Sequence, residues 1–174
     1  WFWAAYRTIV EDQGRTLDTY TLFDENCGFN HAAFQAKVNA MAEQQENVLV
    51  IFNTPGNNPT GYSIGCEDWD KIIAFFKDLV ANGKNKVILG IDVASLDYSD
   101  DKDTSRKIFS KFGNLPDSIL TVVCYSVSKS FTMYGQRVGA MIGISANEEI
   151  ADEFFNECKF TSLGTWSNNT RPAM

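Results

Sequence analysis

Lys129 lies in the stretch Tyr125 to Gly139, which reads Tyr-Ser-Val-Ser-Lys-Ser-Phe-Thr-Met-Tyr-Gly-Gln-Arg-Val-Gly. The apolar run Ile119 to Val123 leads into it. Lys129 is therefore expected at the mouth of a sheet, where a buried strand gives way to a polar loop. The same stretch holds the hydroxyls of Ser126 and Ser128, two glycines (Gly135 and Gly139) that let backbone approach closely, and Arg137, eight residues beyond the lysine. Hydroxyls with an arginine suit a phosphate dianion, because the guanidinium offers a planar fork to two oxygens. A lysine beside such a phosphate, held so that its amine can lose a proton, suits a Schiff base to a phosphorylated aldehyde cofactor. The plainer reading of these residues alone is an exposed loop with solvated side chains.

Two more candidates follow apolar runs. Asp92 closes Val87 to Ile91, and a carboxylate at the end of such a strand is costly to leave unpaired. The alternative is an aspartate that closes its strand by local backbone hydrogen bonds. Asn58 belongs to Pro55-Gly56-Asn57-Asn58-Pro59-Thr60-Gly61, just after Val48 to Phe52. Those residue types also form plain turns for local reasons.

The elements that would position these residues alternate. A helix is expected over 1–12, closed by Gly14, and a strand over 16–22. Asn30 caps a helix to about Gln45, with Phe34, Val38 and Met41 on one face. Strands over 47–52, 86–92 and 119–125 are continuous apolar runs, expected to be buried on both faces. Between them lie a helix capped by Ser63 and carrying Trp69, Ile72, Ile73, Phe76 and Val80, and a shorter one with Ile108, Phe109 and Phe112 that ends near Gly113. A last strand over 139–145 precedes a helix that starts at Asn147. Strands alternating with helices predict an α/β fold of three layers, α-β-α, with a mainly parallel sheet. Ligands of such sheets lie beyond the carboxyl ends of the strands. Asn58, Asp92 and Lys129 are all expected there.

The chain of 174 residues fits one domain, 1–174, with a substantial core. A formal net charge of -7 argues against nucleic-acid and anionic-membrane partners. The longest apolar runs are far below membrane-spanning length. Cys27, Cys66, Cys124 and Cys158 are scattered with no Cys-x-x-Cys pair, a pattern of reduced, mostly buried thiols in a cytoplasmic protein rather than a disulfide or zinc framework. His31 is the single histidine. It is expected exposed at a helix start, outside any catalytic or metal-binding role. The opening Trp1-Phe2-Trp3-Ala4-Ala5-Tyr6 carries no signal-type features and is expected to be an internal start within a longer protein.

The pattern Ser-x-Ser-Lys, seven residues, Arg-x-Gly resembles the cofactor-lysine segment of the fold-type-I pyridoxal-phosphate aminotransferases of class I/II, the aspartate aminotransferase-like group. Asn58-Pro59-Thr60-Gly61 and Asp92 resemble two further motifs of that family, in the family's order. The resemblance implies that Lys129 forms the Schiff base with pyridoxal 5'-phosphate and, once released by substrate, moves a proton at the substrate α carbon. It implies Asp92 at the cofactor's pyridinium nitrogen and Asn58 at its phenolic oxygen. Ser126, Ser128 and Arg137 become phosphate anchors. Trp3 precedes Gly14 by eleven residues, the family's spacing for the aromatic that stacks on the cofactor ring. Trp1 is its rival, and core packing is the alternative for either.

Two positions depart from the family's pattern. Ser95 stands where the family usually has a tyrosine that bonds the phenolic oxygen, and Tyr98 lies three residues on. Leu163 stands where dicarboxylate-specific members have an arginine, three residues before Trp166, with Arg171 beyond the match. A substrate with a neutral or apolar side chain is therefore expected. The resemblance further implies amino acid and 2-oxo acid substrates, a cytoplasmic homodimer, and a chain that is part of the cofactor-binding large domain of a longer enzyme. The alternatives are a carbon-sulfur lyase or decarboxylase using the same cofactor, or a non-catalytic fragment, suggested by Ser95. The isolated chain is expected to associate and to show no turnover by itself.

Overall fold

The structure is a computed structural model and describes residues 1–99 and 102–165. At its centre four strands lie in the order β1 (Asn47–Asn53), β2 (Lys86–Asp92), β3 (Ile119–Ser126) and β4 (Gly139–Ile144). The first three are parallel, in keeping with the mainly parallel sheet expected, and β4 runs antiparallel to β3. The crossovers that parallel neighbours require are helical. α1 (Ala5–Glu11) and α2 (His31–Gln44) precede β1, and α3 (Cys66–Val80) joins β1 to β2. α4 (Lys102–Lys107) and a 3-10 segment, Ile108–Phe112, join β2 to β3. A single helical turn, α5 (Val127–Ser130), follows β3, and α6 (Glu148–Thr165) follows β4.

Side-chain parity gives the sheet two different faces. Val48, Val50 and Phe52 point the same way as Val87, Leu89 and Ile91, and all are buried. They share a core with Phe34 and Val38 of α2, Trp69, Ile72 and Phe76 of α3, and Phe112. Ring contacts link the layers: Phe52 lies 5.7 Å from Phe34 and 5.2 Å from Trp69, which in turn lies 5.4 Å from Phe112. The register row Ile51, Gly90, Val122, Gly143 faces the opposite side. There α6 packs on β4 so closely that a Cβ on Gly143 would come within 2.4 Å of the Phe154 ring. Helices thus lie on both faces, and the architecture is α/β in three layers.

Several expectations are corrected. The segment 16–22 is not a strand, so the sheet has four strands among the described residues rather than five. Its alternation does turn Leu17, Tyr20 and Leu22 inward, with Tyr20 edge-on to Phe29 and Phe34 at 6.0 and 5.4 Å. Nearby, Phe23 and Phe29 make an isolated bridge. Alternation specifies an extended backbone, but a strand also needs a ladder partner, and no described strand pairs with this segment. β1 and β2 are fully buried on one face only: Leu49 and Ile88 remain 47% and 37% exposed. An open cavity of about 760 Å³ adjoins them, bounded by β1, Tyr6 and Val10 of α1, and Lys37 and Met41 of α2.

Caps differ in detail. Asn30 does cap α2, its side chain accepting from Ala33 N at 3.0 Å, and Asn147 Oδ1 accepts from Glu149 N at 2.9 Å at the start of α6. Ser63 does not cap α3, which begins after Gly65; instead its hydroxyl accepts from Gly56 N at 2.9 Å and braces the loop after β1. His31 is half-buried, not exposed, because its Nε2 meets Asp68 Oδ1 at 2.8 Å and joins α2 to α3.

Candidate active site

Asn53, Asp92, Cys124 and Met141 form one register row, the first three at the carboxyl ends of the parallel strands. By parity their side chains point to the face that α6 covers, away from the aromatic core. This row holds Asp92 and, through Asn53, positions Asn58. Asn53 Nδ2 donates to the Asp92 carbonyl at 3.3 Å, while Asn53 Oδ1 accepts from Asn58 N at 2.7 Å. Asn58, exposed, is thereby tied to the end of β1.

The loop after β1 also packs tightly on the loop after β2. Gly56 has φ +69°, and a Cβ on it would sit 3.0 Å from Ser95 Cβ. Only a residue without a side chain suits both that backbone and that gap.

Asp92 engages both carboxylate oxygens. Oδ1 accepts from Ala94 N at 3.0 Å, and Oδ2 accepts from the Tyr6 hydroxyl of α1. Burial first, and then the bond to the carboxylate, push the Tyr6 pKa well above the ordinary tyrosine range. Trp3 stands edge-on to Tyr6 with ring centroids 5.5 Å apart and is itself 44% exposed. Trp1 is more exposed than Trp3. The cysteines are not mostly buried as expected, Cys27 and Cys124 being exposed at loop and strand-end positions; even so, partial burial, and secondly the charge of Asp92, raise the Cys124 thiol pKa.

Lys129 leaves β3 on α5. Ser126 caps this turn, its hydroxyl accepting from Ser128 N at 3.1 Å, so the serine spacing of the motif serves the helical turn as well as any ligand. Lys129 is exposed. Its Nζ lies 4.9 Å from the ring centroid of Tyr134, and Arg137 Cζ lies 5.2 Å from the same ring. Arg137 has a left-handed backbone, φ +53°, and its Nη1 donates to the Tyr134 carbonyl at 3.1 Å. That conformation is uncommon for a residue other than glycine. Gly139 follows because β4 must close on β3: a Cβ there would meet the Tyr125 carbonyl at 2.6 Å.

The structure thus brings Asn58, Asp92, Ser126, Ser128 and Lys129 to one edge of the sheet, with Trp3 linked through Tyr6 and Arg137 through Tyr134. Ser95 turns toward Gly56. The Tyr98 hydroxyl donates to the Lys129 backbone carbonyl at 2.6 Å. Leu163 lies on α6, 60% exposed, while Trp166, Asn168 and Arg171 lie outside the described residues. His31 stays with Asp68 between α2 and α3. Among the described residues no group of three or more His, Cys, Asp or Glu side chains could hold a metal ion, and no helix is long and apolar enough to cross a membrane.

Sequence reasoning missed Tyr6 and Tyr134. Tyr134 lies within the lysine motif and was legible as an aromatic between two cations. Tyr6 meets a partner 86 residues away, and no local pattern announces such a pair.

A mainly parallel sheet with an antiparallel edge strand, a lysine after one strand and a carboxylate at the end of its neighbour defines a protein class that sequence comparison also identifies. The family described as aminotransferase class I and II matches residues 1–166, and the chain belongs to it. An aminotransferase from Anaerococcus prevotii is 38% identical and superposes with a TM-score of 0.94 over 97% of this chain and 41% of its own. The mitochondrial aspartate aminotransferase of Xenopus tropicalis is 24% identical over 95% of this chain and 37% of its own length. An aromatic-amino-acid aminotransferase from Burkholderia pseudomallei, solved covalently bound to pyridoxal phosphate, shares the fold with a TM-score of 0.71 at 21% identity, over 96% of this chain and 39% of its own. The chain therefore spans about two-fifths of the length of these relatives.

Proposed function

We propose that the protein carrying this chain is a pyridoxal-phosphate-dependent aminotransferase that moves an amino group from an amino acid to a 2-oxo acid. The observation that carries this reading is that Asp92 and Lys129 leave adjacent parallel strands at the same sheet edge. The residues suit the cofactor chemically. A carboxylate has about four lone-pair sites, so Asp92 can accept from a ring N–H beside Tyr6 and Ala94. The Ser126 hydroxyl uses only acceptor capacity within the protein turn, leaving its proton to donate to a phosphate.

When bound, the cofactor supplies an aldehyde for covalent attachment and a ring that takes up electrons. Lys129 would hold the cofactor through its amine and, as a free amine, would carry a proton to and from the substrate α carbon. Asp92 would hold the ring nitrogen in its protonated form, since a nearby anion favours the charged form. Asn58 donates to the ring oxygen and helps hold the substrate carboxylate. Ser126, Ser128 and Arg137 hold the phosphate, and Trp3 offers its ring to the cofactor. Leu163 supplies no charge for a second carboxylate, which favours substrates with a neutral or apolar side chain. We place the enzyme in the cytoplasm as a homodimer, with this chain as part of its cofactor-binding domain.

The test uses the whole protein. Added pyridoxal phosphate should give an absorbance band near the visible, and borohydride should fix the cofactor on Lys129, as peptide mass analysis reads out. Amino transfer should depend on a 2-oxo acid. Release of pyruvate or ammonia in its absence would assign a lyase instead, and no label on Lys129 would overturn the reading.

A further inference from the structure

The one-turn helix that carries Lys129 is too short to hold itself. Its four residues, Val127–Ser130, close with Phe131 N donating to the Val127 carbonyl at 3.1 Å and Thr132 N donating to the Lys129 carbonyl at 3.1 Å. Thr132 then turns left-handed at φ +53°. A carbonyl has two acceptor sites, and the second site on Lys129 is taken by the Tyr98 hydroxyl at 2.6 Å. Tyr98 is 63% exposed, so its place follows from what holds its backbone rather than from packing of its ring.

That backbone is held firmly. Tyr98 ends the 3-10 turn Leu96–Tyr98, which hangs from β2 by the buried Leu96, with Tyr98 N donating to the Ser95 carbonyl at 3.0 Å. Asp97 in the same turn accepts from Arg106 Nη2 at 2.6 Å and from the Tyr125 hydroxyl at 3.4 Å. Tyr125 belongs to β3, four residues before the lysine. The loop after Asp92 is thus bound to the lysine segment at two points, one on the strand and one on Lys129 itself.

We propose that Tyr98 is a positioning residue for Lys129: its phenol fixes the carbonyl of the lysine, and with it the direction in which the side chain leaves the turn toward Asp92's sheet edge. The proposal rests on Lys129 being the reactive amine, and its test is arranged so that the two claims fail separately.

Tyr98→Phe removes one exposed hydroxyl and keeps the ring. In the cofactor-free whole protein, amide hydrogen exchange of residues 127–132 should quicken roughly fivefold, the factor expected from losing one ordinary hydrogen bond, while exchange in β1 and β2 stays unchanged. In the protein loaded with pyridoxal phosphate, the pH midpoint of the absorbance band should move, with Tyr98→Leu moving it in the same direction. Unchanged exchange over 127–132, or an unchanged midpoint in a protein whose Lys129 is labelled, would overturn the proposal. If Lys129 of the unaltered protein takes no label, the functional reading fails, and the exchange comparison alone still decides whether Tyr98 holds the turn.

Discussion

Asp92 shows how much a single residue depends on its donors. Its carboxylate is fixed by Tyr6 from the amino-terminal helix and by the Ala94 amide. Tyr6→Phe should lower unfolding free energy by about 2 kcal/mol, the worth of a hydrogen bond to a charged group, as read by denaturant titration. The pH dependence has a definite sign. A tyrosine whose folded pKa is raised gives stability that is complete below its unfolded value, about 10, and is lost as pH climbs through the folded value above it. The difference between the parent protein and Tyr6→Phe should therefore be flat from neutral pH to about 9 and shrink only in stronger alkali. Cys124, whose thiol pKa is also raised, should alkylate at mildly alkaline pH more slowly than in the unfolded chain. Asp92→Asn should speed that reaction by removing the repelling charge. If the whole protein acts as proposed, Lys129→Ala should cut its amino transfer by at least the roughly 100- to 10,000-fold that a positioned acid-base group supplies.

Elements impose a different kind of constraint, that of close approach. β4 reaches β3 only because position 139 lacks a side chain: a Cβ would lie 2.6 Å from the Tyr125 carbonyl. Gly139→Ala should destabilise the fold by about 1–3 kcal/mol, in the range of forced overpacking, and should disturb the neighbouring lysine turn through Val127 N, which donates to the Val138 carbonyl at 3.2 Å. Thermal unfolding together with cofactor uptake would separate the two effects. Asn30→Ala should cost about 1 kcal/mol through the lost cap on α2, with cofactor uptake unchanged because the cap lies among the covering helices rather than at the strand ends.

For the whole molecule, stability centres on the aromatic seam between β1, α2 and α3, where Trp69 and Phe34 are fully buried. Trp69→Ala should cost about 3–5 kcal/mol, a large part of the stability of a domain this size. The outer side of the sheet is less complete. Leu49 and Ile88 face an open cavity beside β1, an edge strand among the described residues. Such edges pair readily with other chains, so the 174-residue chain by itself should associate as its concentration rises. Light scattering that stays monomeric up to high concentration would contradict this.

What repeats locally is legible in the residues alone. Apolar runs of β-rich residues fixed three parallel strands almost to the residue, because burial allows few other residue types there. The strand-end rule places Asn58, Asp92 and Lys129 at one edge. The spacing of Ser126, Ser128 and Arg137 was legible for the same reason: one short segment holds all three. Tertiary structure alone decided what depends on partners far along the chain. Segment 16–22 has the alternation of a strand but no ladder beside it. His31 looks like an exposed helix start until Asp68 of another helix meets it. Tyr6 and Tyr98 bond to residues 86 and 31 positions away. Periodicity encodes which way a side chain points along its own element, but not which distant side chain waits there. Hydrogen bonds between loops and strand ends are specific to that meeting, so they appear only when the chain has folded.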